Sequence, residues 1–116
     1  MPFRDPTPAK LAEVDPTFRR RVVGFVNAVR GAGVPLVVIS GFRSVEQQRA
    51  LIAAGRTTAT RSRHLEGRAV DVQWAGLLST QVPGPWWDWI GSVGEHFGLR
   101  WGGRFGRIDI NHFDAG

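Results

Sequence analysis

Two short segments of this sequence carry side chains that could together bind a metal ion. The first contains His64 and Asp71, and the second contains Asp109 and His112 close to the C-terminus. Zinc binds neutral imidazole nitrogen and carboxylate oxygen, and a catalytic zinc keeps three protein ligands with a water in the fourth position. His64, Asp71 and His112 would supply this set of ligands, so the two segments predict a zinc site of the catalytic type.

The residues after Gly67 predict how Asp71 is presented. From Arg68 onward the sequence has the pattern of a β-strand. Alternation would place Ala69, Asp71 and Gln73 on one face and Val70, Val72 and Trp74 on the other. The second face is apolar and should contact the core, so Asp71 should lie on the opposite face. Gly67 permits the turn that would bring His64 back over the strand end.

The second segment places a requirement on the backbone. Asp109 and His112 are three residues apart, so an ideal strand would direct them to opposite faces. A bulge or a strand end near Asn111 is needed if both side chains serve one site.

Four motifs occur in one order between Ser40 and Phe113. They are Ser40-Gly41-Phe42-Arg43-Ser44 with Gln48, Ser62-x-His64-x-x-Gly67-x-Ala69-x-Asp71, Trp101-Gly102-Gly103, and Asp109-x-x-His112-Phe113. Together they resemble the zinc D-alanyl-D-alanine metallopeptidase family, which includes phage L-alanyl-D-glutamate endopeptidases and has a core similar to the hedgehog signalling domain. The departures are Phe42, where tyrosine is usual, and Asn111, where proline commonly precedes the second histidine.

The resemblance implies an α+β fold in which a small, mainly antiparallel sheet carries the zinc site on its open face. Helices would pack against the other face. His64, Asp71 and His112 would hold one zinc ion per chain. Chain length and a hydrophobic fraction of 42% over 116 residues predict a single domain spanning residues 1–116.

The resemblance also implies roles for other residues. Asp109 would act as general base and then general acid, with Glu66 as the rival candidate. Arg43 would face the reacting carbonyl or a substrate carboxylate and stabilise the developing oxyanion. Three further residues are predicted to contact substrate, with the last of them forming a pocket wall: Ser62, Gln48 and Trp101.

Some of these residues have structural alternatives. Asp109 could instead form an ion pair with Arg104 or Arg107, and Asp71 could be a carboxylate at a strand end. His96 belongs to no motif, and we interpret it as a structural residue in the last turn of a helix, where it suits the helix dipole.

Three helices and a strand are predicted around the motifs. Asp15-Pro16 should begin a helix whose apolar residues Phe18, Val22, Phe25, Val26 and Val29 have helical spacing and which ends near Gly31 and Gly33. Leu36–Ile39 reads as a buried strand. A capping box at Ser44 predicts a helix from Val45 to Ala54, ended by Gly55. Residues 56–61 should form a surface loop. Trp86, Trp89, Ile90, Val93 and Phe97 fit a third helix that Gly98 ends.

Composition limits the class of protein further. The chain has no cysteine, which excludes disulfides and thiolate ligands, and it has no window that suits a signal peptide or a membrane span. Its net charge is +5 and fourteen of its fifteen basic residues are arginine, so a polyanionic partner is favoured. Because no nucleic-acid-binding motif is present, we expect no nucleic acid. The anionic cell envelope is the preferred partner, and the alternative is a basic surface that is simply solvated.

The resemblance to the zinc D-alanyl-D-alanine metallopeptidases implies zinc-dependent hydrolysis of a peptide bond in the peptidoglycan stem peptide. A short basic chain without an export signal fits an endolysin that cleaves the L-alanyl-D-glutamate bond. Such a monomer would be made in the host cytoplasm and act on the cell wall after release. The alternatives are a D-alanyl-D-alanine carboxypeptidase, whose substrate carboxylate could pair with Arg43, Arg61 or Arg63, and a non-catalytic zinc-binding module.

Overall fold

The computed structural model describes residues 4–55 and 63–116, and these residues form an α+β fold. Its α-helices are α1 (Thr7–Leu11), α2 (Pro16–Gly31), α3 (Val45–Ala53) and α4 (Gly84–His96). Its strands are β1 (Leu36–Ser40), β2 (Ala69–Trp74), β3 (Arg100–Trp101) and β4 (His112–Asp114). Short 3₁₀ helices span Arg63–Glu66, Ser79–Gln81 and Gly102–Arg104. The predicted fold class is confirmed, and the loop predicted at residues 56–61 lies outside the described residues.

The four strands form one antiparallel sheet in the order β1-β2-β4-β3. Asp71 on β2 pairs with His112 on β4 and with Ser40 on β1. The register between β1 and β2 shifts between Val38 and Ser40, and Ile39, the unpaired residue there, is 36% exposed. A bulge redirects a side chain in this way, so the predicted strand forms although Ile39 leaves the core. The register places Asp71 at the centre of the sheet.

The long helix α2 begins and ends where the sequence predicts. The Asp15 side chain accepts a hydrogen bond from the Phe18 N–H, and Pro16 occupies the first turn. The five apolar residues with helical spacing are buried: Phe18, Val22, Phe25, Val26 and Val29. They pack against the apolar face of the sheet, which includes Val70 and Val72 as predicted.

Helix α3 has the predicted capping box, because the Ser44 hydroxyl accepts from the Gln47 N–H and the Gln47 side chain accepts from the Ser44 N–H. Ala54 is the residue at its C-terminal cap, and Gly55 follows with a φ of +69°. Such a positive φ favours glycine, which explains why the helix ends at this point.

Helix α4 forms, but its buried face differs from the predicted one. Trp87 is buried, whereas Trp86 is 44% exposed and Trp89 is 36% exposed. The buried stripe is completed by Ile90, Gly91 and Gly94. A hydrophobic pattern does not count glycine as apolar, so the predicted stripe included the wrong tryptophans. In the described residues no helix has the length and apolar character that crossing a bilayer requires.

Candidate metal centre

The three predicted ligands lie close together in the structure. Ligand atoms of His64, Asp71 and His112 all lie within 4.8 Å of one another. His64 Nε2 is 3.4 Å from one Asp71 oxygen, and His112 Nδ1 is 3.4 Å from the other. In a tetrahedral zinc site with bonds of roughly 2.0–2.1 Å, neighbouring ligand atoms are about 3.4 Å apart. The donor types and their spacing therefore fit zinc.

A tight turn brings His64 over the start of β2. The 3₁₀ helix Arg63–Glu66 carries His64, and Gly67 follows it with a φ of +67°. A Cβ atom on Gly67 would also lie 3.2 Å from the backbone of Asp15 and Glu13. Both the conformation and the close approach require glycine here, so the predicted turn at Gly67 is confirmed.

The second nitrogen of His64 contacts the main chain. Nδ1 lies 2.7 Å from the Gly41 carbonyl oxygen, and the Arg43 N–H donates to the His64 carbonyl at 2.9 Å. Gly41 has no space for a side chain, because a Cβ there would collide with the Lys10 carbonyl. With its Nδ1–H donated to Gly41, His64 presents Nε2 to Asp71.

In His112 the roles of the two ring nitrogens are exchanged relative to those in His64. Its Nδ1 faces Asp71, and its Nε2 lies 2.8 Å from a carboxylate oxygen of Asp114. Burial alone would lower the pKa of His112, but hydrogen bonds to Asp114 and Asp71 raise it to about 9. Burial alone would raise the pKa of Asp71, but hydrogen bonds from His112 and His64 hold it well below its usual range. Zinc would therefore displace a proton from His112 on binding.

Asp109 reaches the same site from a turn before β4. The His112 N–H donates to the Asp109 carbonyl at 3.1 Å, and strand pairing begins only at His112. This confirms the predicted strand end near Asn111. One Asp109 oxygen lies 3.9 Å from His112 Nδ1. Partial burial and the negative charge of Asp71 raise the pKa of Asp109, which suits a group that exchanges protons during a reaction.

The Trp-Gly-Gly motif forms hydrogen bonds with the backbone of this turn. The Asp109 N–H donates to the Gly102 carbonyl at 3.0 Å, and a Cβ on Gly102 would collide with the Asp109 carbonyl. Trp101 is only 3% exposed and donates from Nε1 to the Ile110 carbonyl at 2.7 Å. Gly91 on α4 leaves a space in the core that the Trp101 indole fills, and the predicted role of Trp101 as a pocket wall stays a prediction.

Arg43 lies at the edge of the metal group. Its Nη1 donates to the Gln48 side-chain oxygen at 2.8 Å, and its Nη2 is 3.9 Å from Asp71. Gln48 is 2% exposed, so its observed contact orients Arg43, and its predicted contact with substrate stays a prediction. Ser62 lies outside the described residues.

Glu66, the rival candidate for the general base, and Arg104, an alternative partner of Asp109, both have other contacts in the structure. Glu66 forms an ion pair with Arg63 at 2.9 Å, on the exposed surface of the turn. Arg104, proposed above as an alternative partner of Asp109, pairs with Glu95 at 3.2 Å. Asp109, in contrast, has one oxygen 3.9 Å from His112 Nδ1, the nitrogen that also faces Asp71.

Two residues that support His112 were not predicted from the sequence. Asp114 holds His112 through Nε2, and Arg100 holds Asp114 through two hydrogen bonds of 2.8 Å. A signal for Asp114 was present, because residues two apart in a strand share a face. The predicted strand end near Asn111 would have placed His112 and Asp114 on one face.

Comparison with known families identifies the class of protein. A model of the peptidase M15 family described as D-alanyl-D-alanine carboxypeptidase matches residues 55–115. A second model, described as Peptidase M15, matches residues 9–83. No curated protein sequence matches the chain at a significant level.

Solved structures agree with the family models. A Serratia marcescens L-Ala D-Glu endopeptidase, ChiX, is 30% identical with a TM-score of 0.75, and the match covers 97% of this chain and 87% of that one. A VanY D,D-pentapeptidase of a VanB-type vancomycin resistance cassette, in complex with Zn(II), is 22% identical with a TM-score of 0.67. That match covers 89% of this chain and 73% of the other. The LdcB LD-carboxypeptidase is 24% identical with a TM-score of 0.65, and the match covers 87% of this chain and 64% of that one.

The chain belongs to the peptidase M15 family, the zinc D-alanyl-D-alanine metallopeptidases that its motifs resemble. It is therefore an enzyme that hydrolyses peptide bonds, which sets aside the alternative of a non-catalytic zinc-binding module.

Proposed function

We propose that this metallopeptidase cleaves the peptidoglycan stem peptide at the bond between L-alanine and D-glutamate. The observation that carries the proposal is the match to the Serratia endopeptidase, which covers 97% of this chain at 30% identity. The VanY and LdcB structures share the fold at lower identity, and they support the fold alone. The bond specificity therefore depends on the endopeptidase match.

His64, Asp71 and His112 would hold one zinc ion per chain. Zinc in such a site supplies Lewis-acid activation of the scissile carbonyl and of the attacking water. The protein contributes the fixed ligand geometry, with Asp71 at the centre of the sheet and each histidine oriented through its other nitrogen.

Asp109 supplies the proton transfers of the proposed reaction. As a carboxylate it takes a proton from the attacking water, and as a carboxylic acid it gives that proton to the amine of the leaving residue. Its raised pKa makes the carboxylate a stronger base, and a catalytic group whose pKa lies nearer the working pH can serve in both protonation states. Its 56% exposed side chain is accessible to a substrate on the open face of the sheet.

Arg43 stabilises the negative charge that develops on the carbonyl oxygen. Its guanidinium is largely buried, with 17% of the side chain exposed, and the contact with Gln48 fixes its direction. A preorganised cation of this kind stabilises an oxyanion more strongly than a mobile one does.

The second candidate is a D-alanyl-D-alanine carboxypeptidase. The observation that favours it is the family model of that description, which matches residues 55–115 and so covers the metal-binding motifs. In that reaction Arg43 would also pair with the free carboxylate of the terminal residue.

Mass spectrometry of purified peptidoglycan after digestion decides between the two activities. Release of the stem peptide beyond L-alanine supports the endopeptidase. Loss of a single terminal alanine would overturn it in favour of the carboxypeptidase. Prior chelation should abolish either activity, and added zinc should restore it.

The role of Asp109 has a separate test. Asp109→Asn keeps the shape of the side chain but cannot accept a proton, so we expect kcat to fall by about 100-fold or more. Zinc content should stay at the wild-type level. Glu66→Gln is the matched control, and a larger loss of kcat in that variant would transfer the role to Glu66.

We also propose that the enzyme is a phage endolysin that acts as a monomer on the wall after its release from the host cytoplasm. The formal net charge of +5 supports retention on an anionic envelope. Binding to intact cell walls should weaken as salt rises, because screening removes charge attraction between exposed groups. Binding that does not depend on salt would contradict the charge-based interaction.

A further inference from the structure

Asp114 contacts the ring nitrogen of His112 that does not face Asp71. The two residues share a face of β4, since they are two apart in one strand. Asp114 is 1% exposed, and its Oδ2 lies 2.8 Å from His112 Nε2. A buried carboxylate is costly unless it is paired and hydrogen-bonded, so the partners of Asp114 explain how it is kept there.

Arg100 provides the positive charge that pairs with the buried carboxylate of Asp114. The register of β3 and β4 places the two residues opposite each other. Arg100 Nε donates to Oδ1 and Nη2 donates to Oδ2, both at 2.8 Å, and the Gly116 N–H donates to Oδ1 at 2.9 Å. A bidentate guanidinium–carboxylate pair is geometrically specific. These contacts restrain rotation of the carboxylate and keep Oδ2 directed at His112.

Arg100 also supports His112 by a second route. Its guanidinium carbon lies 4.8 Å from the centre of the Phe105 ring, as a cation over an aromatic face. The Phe105 ring centre is in turn 5.7 Å from that of His112. One arginine therefore contacts both the carboxylate and the aromatic side chain that adjoin this histidine.

These contacts have a consequence for metal binding. A histidine whose Nε2–H is donated to a carboxylate has its lone pair on Nδ1, and the negative partner makes that nitrogen a stronger ligand. We propose that Asp114 and Arg100 are positioning residues that fix His112 as an Nδ1 ligand and thereby set the zinc affinity of the protein. The inference rests on the zinc centre of the proposed function and does not depend on which bond is cleaved.

The imidazole rings of the two histidine ligands are oriented by different kinds of group. His64 is oriented by the Gly41 carbonyl, which no side-chain substitution removes, whereas His112 is oriented by a side chain. Zinc affinity should therefore be adjustable through His112 without changing any ligand.

Zinc titration against a competing chelator tests the proposal. Asp114→Ala should weaken zinc binding by about 10- to 100-fold, the usual loss when a residue that orients a ligand is removed. Asp114→Asn should weaken it less, since the amide oxygen can still accept from Nε2. Arg100→Gln should also weaken it. Glu95→Gln, which removes the partner of the exposed Arg104, is the matched control and should bind zinc as the wild type does.

A measurement on the unmodified protein covers the case in which a variant fails to fold. Long-range proton–nitrogen correlation spectra of the zinc-loaded wild type should show His112 protonated at Nε2 and metal-bound at Nδ1. Metal binding through Nε2 of His112 would overturn the proposal.

The outcomes separate this inference from the proposed function. Wild-type affinity in a folded Asp114→Ala variant would overturn the positioning role and leave the peptidase proposal intact. Failure of the wild type to bind zinc would overturn the metal centre, and the inference with it.

Discussion

At the scale of single residues, Arg43 has a position that distinguishes it from the other arginines near the site. Its Nη1 hydrogen bond with Gln48 and its approach to Asp71 direct the guanidinium toward the metal group. Arg63 is a neighbour of the ligand His64, but it pairs with Glu66 on the exposed surface. The two arginines therefore form a matched pair for testing the role of charge.

Arg43→Ala should reduce kcat by about 100- to 1,000-fold, the usual cost of removing one group that stabilises an oxyanion. Arg63→Ala should have little effect, because exposed ion pairs contribute little. Steady-state kinetics on purified stem peptides would measure both. Equal losses in the two variants would mean that overall positive charge matters and not the placement of Arg43.

Residue type and spacing were sufficient to predict which side chains come together at the candidate metal centre. His64, Asp71 and His112 were each placed in a motif, and the structure brings them together. The burial of Trp101 and Gln48 was harder to predict, since the direction of a side chain depends on packing with distant elements. Trp101 is directed into the core by the space at Gly91, which no local pattern reveals.

At the scale of elements, α4 shows how glycine can form a packing surface. A Cβ on Gly91 would collide with the Trp101 ring, and a Cβ on Gly94 would collide with the Phe113 ring. The helix therefore approaches β3 and β4 closely enough for these rings to pack against its backbone. The existence of α4 and its end before Gly98 were predictable, but its rotation about its own axis depended on these two glycines.

The two adjacent tryptophans of α4 should have very different effects on stability. Trp87→Ala removes a side chain that is 1% exposed and should lower the free energy of unfolding by about 3–5 kcal/mol. Trp86→Ala removes one that is 44% exposed and should cost under about 1.5 kcal/mol. Urea denaturation measures both values. Similar losses would show that α4 is rotated from the described orientation.

The N-terminal helix α1 is attached to the rest of the fold by polar contacts. Asp5 accepts a hydrogen bond from the Thr7 N–H and pairs with Arg30 of α2 at 2.8 Å. The Thr7 hydroxyl accepts from the Val38 N–H of β1 at 2.9 Å. Burial alone would raise the pKa of Asp5, but the hydrogen bonds of Thr7 and Arg30 lower it.

Because the folded pKa of Asp5 lies below its unfolded value, its contribution to stability is present above the unfolded pKa, about 4. It is lost as pH falls through the folded value. Asp5→Asn should thus lower stability near pH 7 by up to about 1 kcal/mol, since the ion pair is partly exposed. Near pH 2 the variant and the wild type should differ less. A difference that does not change with pH would exclude the charge of Asp5 as its cause.

At the scale of the whole molecule, the site combines segments that are far apart in the chain. His64 lies in the turn before β2, Asp71 lies within β2, and His112 begins β4. The sheet order β1-β2-β4-β3 makes this combination possible, but no local signal in the sequence specifies that order. Alternation and capping residues identify the elements, whereas their arrangement depends on how the whole core packs.

A zinc ion bound to these three residues would link the turn, β2 and β4, and a ligand that binds only the folded state stabilises it. At a zinc concentration 100 times the Kd, the stabilisation is about 2.7 kcal/mol. For a chain of this size that corresponds to a rise in Tm on the order of 10 °C. Thermal unfolding with zinc and with a chelator measures the difference. His112→Ala is the control variant, and zinc should not raise its Tm to the same extent.

The contacts between Gly41, Arg43 and His64 have a further consequence for how the site responds to change. The Gly41 carbonyl accepts from the His64 ring, and the Arg43 N–H donates to the His64 carbonyl. The predicted metal ligand His64 and Arg43, the proposed oxyanion-stabilising residue, are thus linked through the backbone of residues 41–43. A displacement of His64 would be transmitted to Arg43, so loss of the metal should disorganise substrate recognition together with the chemistry. Natural or engineered changes in specificity should therefore occur in the segments around this stretch of backbone and leave Gly41–Arg43 itself unchanged.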